Sequence, residues 1–146
     1  MSVSVTICTT VDVTPRELWA DLEDIASHEE WMADADRITF RTPQRKGVGT
    51  IFECRTRVGP IAVTDVLEVT EWEPAVSMGI LHRGAVTGTG RFTLRQGFDG
   101  GTRFCWTEEL TFPWWLGGGI GARLGVPAFR WIWKRNLSRL KTRVER

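Results

Sequence analysis

Residues 127–146, PAFRWIWKRNLSRLKTRVER, decide how the rest of the chain is read. Phe129, Ile132, Trp133, Leu137, Leu140 and Val144 recur at steps of three, four or one, which lays them along one face of a helix. Basic residues occupy the other face and accumulate in the last turns, where they suit the negative end of the helix dipole. This is the one long helix legible in the sequence. Just before it, residues 113–126 form a glycine-rich connection, read here as loop.

Working back from that helix, residues 36–112 change period. Strand-like segments fall near 37–43, 49–58, 61–72, 76–83, 86–96 and 102–112. Between them stand Gly47-Val48-Gly49, Gly59-Pro60, Glu73-Pro74, Arg83-Gly84 and Asp99-Gly100-Gly101, breaks short enough for hairpins. The segments therefore read as an antiparallel meander. At the amino end, Val3, Val5, Ile7, Thr9 and Val11 alternate with small polar residues and supply a seventh strand. Thr14-Pro15-Arg16-Glu17 then gives a capping residue, a proline at the first helical position and an acid three residues after the cap, the start of a short helix carrying Leu18, Trp19 and Leu22 inward. A second helical turn is expected after Ser27, with Glu30 three residues on and Trp31 and Met32 within it. The order is strand, two short helices, six strands, long helix, in one α+β domain over residues 1–146.

Composition narrows the function classes. The chain has 146 residues, 8 Trp, no Tyr and a net charge of +1, which gives no global preference for nucleic acid or an anionic membrane. Charge is nonetheless uneven: residues 1–36 hold nine acids and one base, residues 128–146 seven bases and one acid. Two readings stand: opposed helical surfaces that are solvated or neighbouring, or a phosphate-binding face. No stretch is long and apolar enough to span a bilayer, and the start lacks the pattern of a signal peptide. Cys8, Cys54 and Cys105 are odd in number and far apart, so reduced thiols and a cytoplasmic location are expected, the Asn136-Leu137-Ser138 sequon carries no weight, and no metal site is expected. Gly117 to Ala122 fits G-x-G-x-x-A formally, but no βαβ unit surrounds it, so no nucleotide cofactor is expected.

The segments TPRELWADLEDIASHEEWM, VTEWEP, GTRFCWTEEL and NLSRLKTRVE, in this order, resemble the START-like (SRPBCC) helix-grip superfamily, and more closely its polyketide cyclase/dehydrase and lipid-transport family. The resemblance covers nearly the whole chain. It implies a seven-stranded antiparallel curved sheet wrapped round the last helix, with a ligand cavity between them. It implies no single activity, since that superfamily spans aromatase/cyclases, lipid carriers and hormone receptors.

Strand parity indicates which side chains face such a cavity. Phe104, Trp106, Leu110 and Phe112 share a face with Glu108. Val76, Met78 and Ile80 share one with His82, and Ile61, Val63, Leu67 and Val69 one with Asp65. The expected lining is Trp19, Phe40, Phe52, Val63, Met78, Ile80, Phe92, Phe104, Trp106, Leu110, Phe129 and Trp133. Glu108 is the candidate acid/base group, because a carboxylate on an apolar face is costly unless paired and its pKa is expected to rise. His82 is the candidate proton shuttle, against the simpler reading of a solvated strand-end histidine. His28, in an acidic turn, is expected to be solvated. Trp114 and Trp115 with Gly117, Gly118 and Gly119 read as a hinged gate, as a plug for the sheet end, or as a peripheral membrane contact. The leading expectation is binding of a small apolar or amphipathic ligand: a lipid, polyketide or aromatic metabolite. A polyketide cyclase or dehydratase is the enzymatic alternative. The absence of Tyr and the outward parity of Arg91, Arg95 and Arg103 count against it. A regulatory or toxin-like interaction protein acting through the basic helix is the third.

Overall fold

The structure, a computed structural model, describes residues 2–146. In chain order it runs β1 (Val3–Val11), α1 (Pro15–Leu22), a 3-10 helix (Ile25–Glu30), β2 (Ala35–Phe40), β3 (Ile51–Val58), β4 (Ile61–Glu73), β5 (Ser77–Arg83), β6 (Thr87–Gln96), β7 (Thr102–Thr111) and α2 (Gly118–Val144). All seven strands form one antiparallel sheet in the order β1-β7-β6-β5-β4-β3-β2. Each hairpin break thus joins neighbours, and only β1 travels, closing against the last strand. This is the helix-grip architecture that the sequence resemblance implies.

The amino-terminal signals act as their chemistry requires. Thr14 Oγ1 accepts from the Glu17 amide at 3.2 Å while Glu17 Oε2 accepts from the Thr14 amide at 3.1 Å, so two otherwise orphaned donors are satisfied reciprocally. The second turn differs from expectation. It is a 3-10 helix beginning at Ile25, and Ser27 lies inside it with its hydroxyl donating to the Asp24 carbonyl at 2.7 Å. Trp31, just past it, is fully buried.

The opposed charges of the two ends meet each other. Arg143 Nε donates to Asp21 Oδ1 at 3.0 Å and its Nη1 pairs with Glu30, while Arg139 donates to the Glu30 carbonyl at 3.0 Å. Lys141 reaches the Thr10 carbonyl at 2.8 Å and Glu145 at 2.7 Å. A buried amide adds to this: Asn136 Nδ2 donates to Asp34 Oδ1 at 2.7 Å and Asn136 Oδ1 accepts from the Ala33 amide at 2.9 Å. The carboxyl half of α2 is therefore fastened to the segment between α1 and β2, and the sequon asparagine is a structural residue.

Two expectations fail here. Residues 118–126 are not a loop but the first turns of α2, and Pro127 lies inside that helix. Gly117, at φ 91°, makes the left-handed turn into it, a conformation glycine adopts without cost. The cysteines also differ: Cys8 and Cys105, 97 residues apart in sequence, are disulfide-bonded across β1 and β7, where the register sets them directly opposite on the outer face. Spacing along the chain carries no trace of a pairing made by the first strand meeting the last. The argument for a reducing compartment, which assumed three free thiols, loses its basis. Among the described residues, no helix is long and apolar enough to cross a membrane.

The core lies between the sheet's inner face and the carboxyl half of α2, where Trp133, Leu137 and Leu140 pack against Val5, Ile7, Phe104 and Trp106. Leu137→Ala should lower unfolding stability by about 2–5 kcal/mol in denaturant titrations, because the site is fully enclosed; a loss under about 1 kcal/mol would mean the helix is not gripped. Alkylation of denatured, unreduced protein should modify Cys54 alone, and three thiols only after reduction.

Candidate functional site

Where α2 begins, its sheet-facing side carries almost no side chain. Gly121, Gly125 and Ala128 follow one another at steps of four and three, and all three line a cavity of about 400 Å³ between helix and sheet. Opposite them, β6 reads Thr87-Gly88-Thr89-Gly90, and its inward positions are the two glycines. Gly90, Gly121 and Gly125 wall the cavity with backbone alone. Its volume is that of a small-molecule site.

The wall is otherwise built from large apolar groups. Phe52, Val63, Leu67, Met78, Ile80, Phe92, Trp106, Leu110, Phe129 and Trp133 line it, along with Ile25, Met32, Ile38 and Leu116. Aromatic rings fix much of this surface: Phe129 stacks on Trp133 with centroids 5.4 Å apart, Trp133 meets Trp106 at 5.0 Å, and Phe92 meets Trp106 edge-on at 5.6 Å. Three of the residues expected to line the cavity do not. Trp19 is buried against Trp72 at 5.1 Å beneath α1, Phe104 is wholly enclosed in the core, and Phe40 packs beside Phe52 with Arg45 over its ring. Phe40 and Phe104 have inward strand parity and Trp19 is buried on α1, but each packs into the core rather than against the cavity.

One polar group spans the bare strand. His82 on β5 and Glu108 on β7 are separated by β6, yet His82 Nε2 and Glu108 Oε2 are 2.8 Å apart. They meet because nothing stands between them: a methyl group on Gly90 would come within 2.6 Å of Glu108 Oε1. That oxygen also accepts from Trp106 Nε1 at 2.8 Å. Glu108 is therefore buried but paired, by an indole and an imidazole. Asp65 on β4, equally buried, faces the same end of the cavity, and its Oδ1 accepts from the Val86 amide at a long 3.4 Å. It fits there because Gly84 has no side chain; a methyl group would approach Asp65 Oδ1 to 2.1 Å.

Burial penalises the charged ring of His82, yet its hydrogen bond to Glu108 and the charges of Glu108 and Asp65 outweigh that and raise its pKa above 6.5. Burial raises the pKa of Asp65, against the pull of the Val86 amide and of His82. His28 is not solvated as its acidic turn suggests. It is buried, its Nε2 lies 2.8 Å from the Leu22 carbonyl, and burial lowers its pKa against the pull of that carbonyl, Asp21 and Asp24, which keeps it neutral at pH 7. Cys54 also lines the cavity, and burial pushes its thiol up to about 12. Asp34, at the far end, accepts from Trp133 Nε1 at 3.3 Å and from Asn136. Among the described residues, no cluster of His, Cys, Asp and Glu has the spacing to hold a metal ion.

Trp114 and Trp115 lie outside the cavity, on a single 3-10 turn (Trp114–Leu116), and Trp114 is 87% exposed. Gly117 turns the chain, and Gly118 and Gly119 begin α2. From this stretch only Leu116 and Gly121 reach the cavity wall. Neither tryptophan plugs the sheet. Gly90, opposite Glu108 in the register, is the sequence signal for the bridged carboxylate.

The chain's backbone superposes on several solved structures. A conserved protein from Geobacillus kaustophilus matches with a TM-score of 0.81 and 14% identity, covering 98% of this chain and 95% of that one. The Zhui aromatase/cyclase from Streptomyces sp. R1128 matches with a TM-score of 0.76 and 15% identity, covering 100% of this chain and 95% of that one. The protein Ara h 8.0201 gives a TM-score of 0.67 at 10% identity, covering 99% and 98%. At these identities the likeness establishes the fold. No curated protein matches the sequence. The family model described as polyketide cyclase / dehydrase and lipid transport matches residues 2–145, and with a cavity-bearing helix-grip fold over the same span, the chain belongs to that family.

Proposed function

We propose that this protein binds a small, mostly apolar molecule in the cavity between the sheet and the amino half of α2. The observation that carries the reading is the wall itself: about 400 Å³ enclosed by aromatic and aliphatic side chains, interrupted on the sheet side by one polar end of Asp65, His82 and Glu108. Such a site gains affinity by removing apolar ligand surface from water and orients the ligand through its few polar groups. The mouth is assigned to the gap between the β3–β4 hairpin, where Ile61 is exposed and also lines the cavity, and Leu116 ahead of α2. Trp114, beside it, suits a peripheral contact with an apolar surface. Native mass spectrometry of freshly purified protein should show a bound adduct that denaturation releases. Apolar probes should quench the emission of Trp106 and Trp133; a broad probe set that neither binds nor quenches would sink the reading.

A second reading, a cyclase or dehydratase, is favoured by one contact, the 2.8 Å approach of His82 Nε2 to Glu108 Oε2 inside the cavity. A buried carboxylate and imidazole in hydrogen-bond contact can hold and pass a proton. Glu108→Gln preserves shape but removes that exchange. If the protein is an enzyme, turnover of a poly-β-ketone substrate should fall about 10²-fold or more with little change in binding. In a carrier, the same change should alter affinity only modestly.

The pair also sets a pH dependence whose sign is fixed. The folded-state pKa of His82 lies above its ordinary value of 6.5, so the folded protein holds this proton more tightly than the unfolded chain. Its stabilisation is complete below about pH 6.5 and is lost as pH rises through the folded-state value. The difference in unfolding free energy between wild type and His82→Gln should therefore be largest below pH 6.5 and shrink above it. A difference that grows with pH would show that His82 is not held as the imidazolium partner of Glu108.

A further inference from the structure

The polar end of the cavity also restricts the chemistry of its ligand. We infer that the ligand presents a hydroxyl group, on an apolar body, to Asp65, His82 and Glu108, and that a carboxylate of the same size is rejected. This rests on the reading of the cavity as a ligand site and specifies it further.

The charges around the cavity are one-sided. Asp34, Asp65 and Glu108 line it, and all three are carboxylates. Arg91 is the only lining residue that carries a fixed positive charge, and its guanidinium is turned to the outer face of the sheet, where Nε and Nη2 donate to Glu71 Oε2 at 3.1 and 2.9 Å. Buried His28 is neutral, which leaves His82, among the described lining residues, as the one cation that can face the interior. An anionic ligand head would enter a low-dielectric pocket already holding Asp65 and Glu108, with a single imidazolium already engaged by Glu108. Like charges at that distance, away from water, repel strongly.

The hydrogen-bonding account gives the positive half of the argument. Each Glu108 oxygen accepts one bond, from Trp106 or from His82, and keeps capacity for another. Asp65 Oδ1 receives a long amide contact from Val86, beyond the usual range for an N–H···O bond, and the Ala85 amide is the only other backbone donor acting on this carboxylate, which keeps lone pairs to spare. Acceptors are thus in surplus. His82 Nδ1 is enclosed and makes no hydrogen bond. A hydroxyl group fits this end because its O–H donates to a spare carboxylate lone pair. A ketone has no proton to donate, and a carboxylate would sit beside two like charges.

Three probes with the same ring system separate these statements: naphthalene, 2-naphthol and 2-naphthoate, titrated calorimetrically into the intact protein at pH 7.5. Naphthalene reports the apolar cavity alone. The hydroxyl proposal expects 2-naphthol to bind about tenfold tighter than naphthalene, as one or two well-formed hydrogen bonds imply, and naphthoate to bind more weakly than either. Asp65→Asn and Glu108→Gln, each near-isosteric, should narrow the gap between naphthol and naphthoate by several-fold; a gap that stays as wide in both variants would overturn the proposal. If naphthoate binds as tightly as naphthol, or naphthol no better than naphthalene, the proposal is overturned while the cavity reading stands. If none of the three binds, the cavity reading falls, and the proposal with it.

Discussion

The structure depends on a constraint of volume: one helix must cover a curved sheet, and its sequence supplies side chains along only half its length. From Phe129 to Leu140 the sheet-facing side of α2 is aromatic and aliphatic, and it fills the space down to Val5, Ile7 and Phe104. From Gly121 to Ala128 the same side is nearly bare. Protein interiors pack to the density of organic crystals, so a bare stretch facing a bare strand is not closed by relaxation while the packed half holds the helix at its distance. The cavity is set by that distance, and the distance is set by Trp133, Leu137 and Leu140.

The polar end follows from the same shortage of atoms. In an ordinary sheet, side chains two strands apart are screened by the strand between. Gly90 removes that screen, so His82 and Glu108 touch across β6, and Trp106 completes the carboxylate's partners. A buried carboxylate without partners is expensive, and one that binds an indole and an imidazole is not. The glycine at position 90 therefore lets the cluster of His82 and Glu108 be satisfied without a residue from α2.

Much of this was legible in the sequence, and the parts that were not share a reason. Period-two alternation, hairpin punctuation and the Thr14–Glu17 box depend on residues close in the chain, and the corresponding strands and helix start within about two residues of where those patterns place them. Parity held on β4 through Val69 because its bulge falls later, between Val69 and Glu71, so Asp65 and Leu67 keep the inward face. What the pattern does not encode is which inward positions meet a helix and which meet space. Phe40 and Phe104 are inward yet lie outside the cavity, packed into the core. Cys8 with Cys105, and His28 with the Leu22 carbonyl, depend on pairings that only the closed fold creates. The glycines of α2 read as a loop because helix propensity disfavours them, and tertiary contact overrode it: Gly121 sits so close to the Leu116 carbonyl that a methyl group would approach it to 2.2 Å.

The same distribution gives the helix a mechanical polarity. Its carboxyl half is fixed by buried leucines, by Asn136 between Ala33 and Asp34, and by Arg143 and Arg139 against Asp21 and Glu30. Its amino half has Gly118, Gly119, Gly121 and Gly125, an internal Pro127 that contributes no N–H to the helix, and exposed Ile120 and Leu124. Local opening is cheapest where buried contacts are few and backbone freedom is greatest. That half is also the roof of the cavity. On the proposed reading of the cavity as a ligand site, this division would let a ligand larger than the mouth displace the amino half of α2 while the carboxyl half keeps its grip on the sheet. The charge asymmetry between the two ends of the chain is part of that fastening.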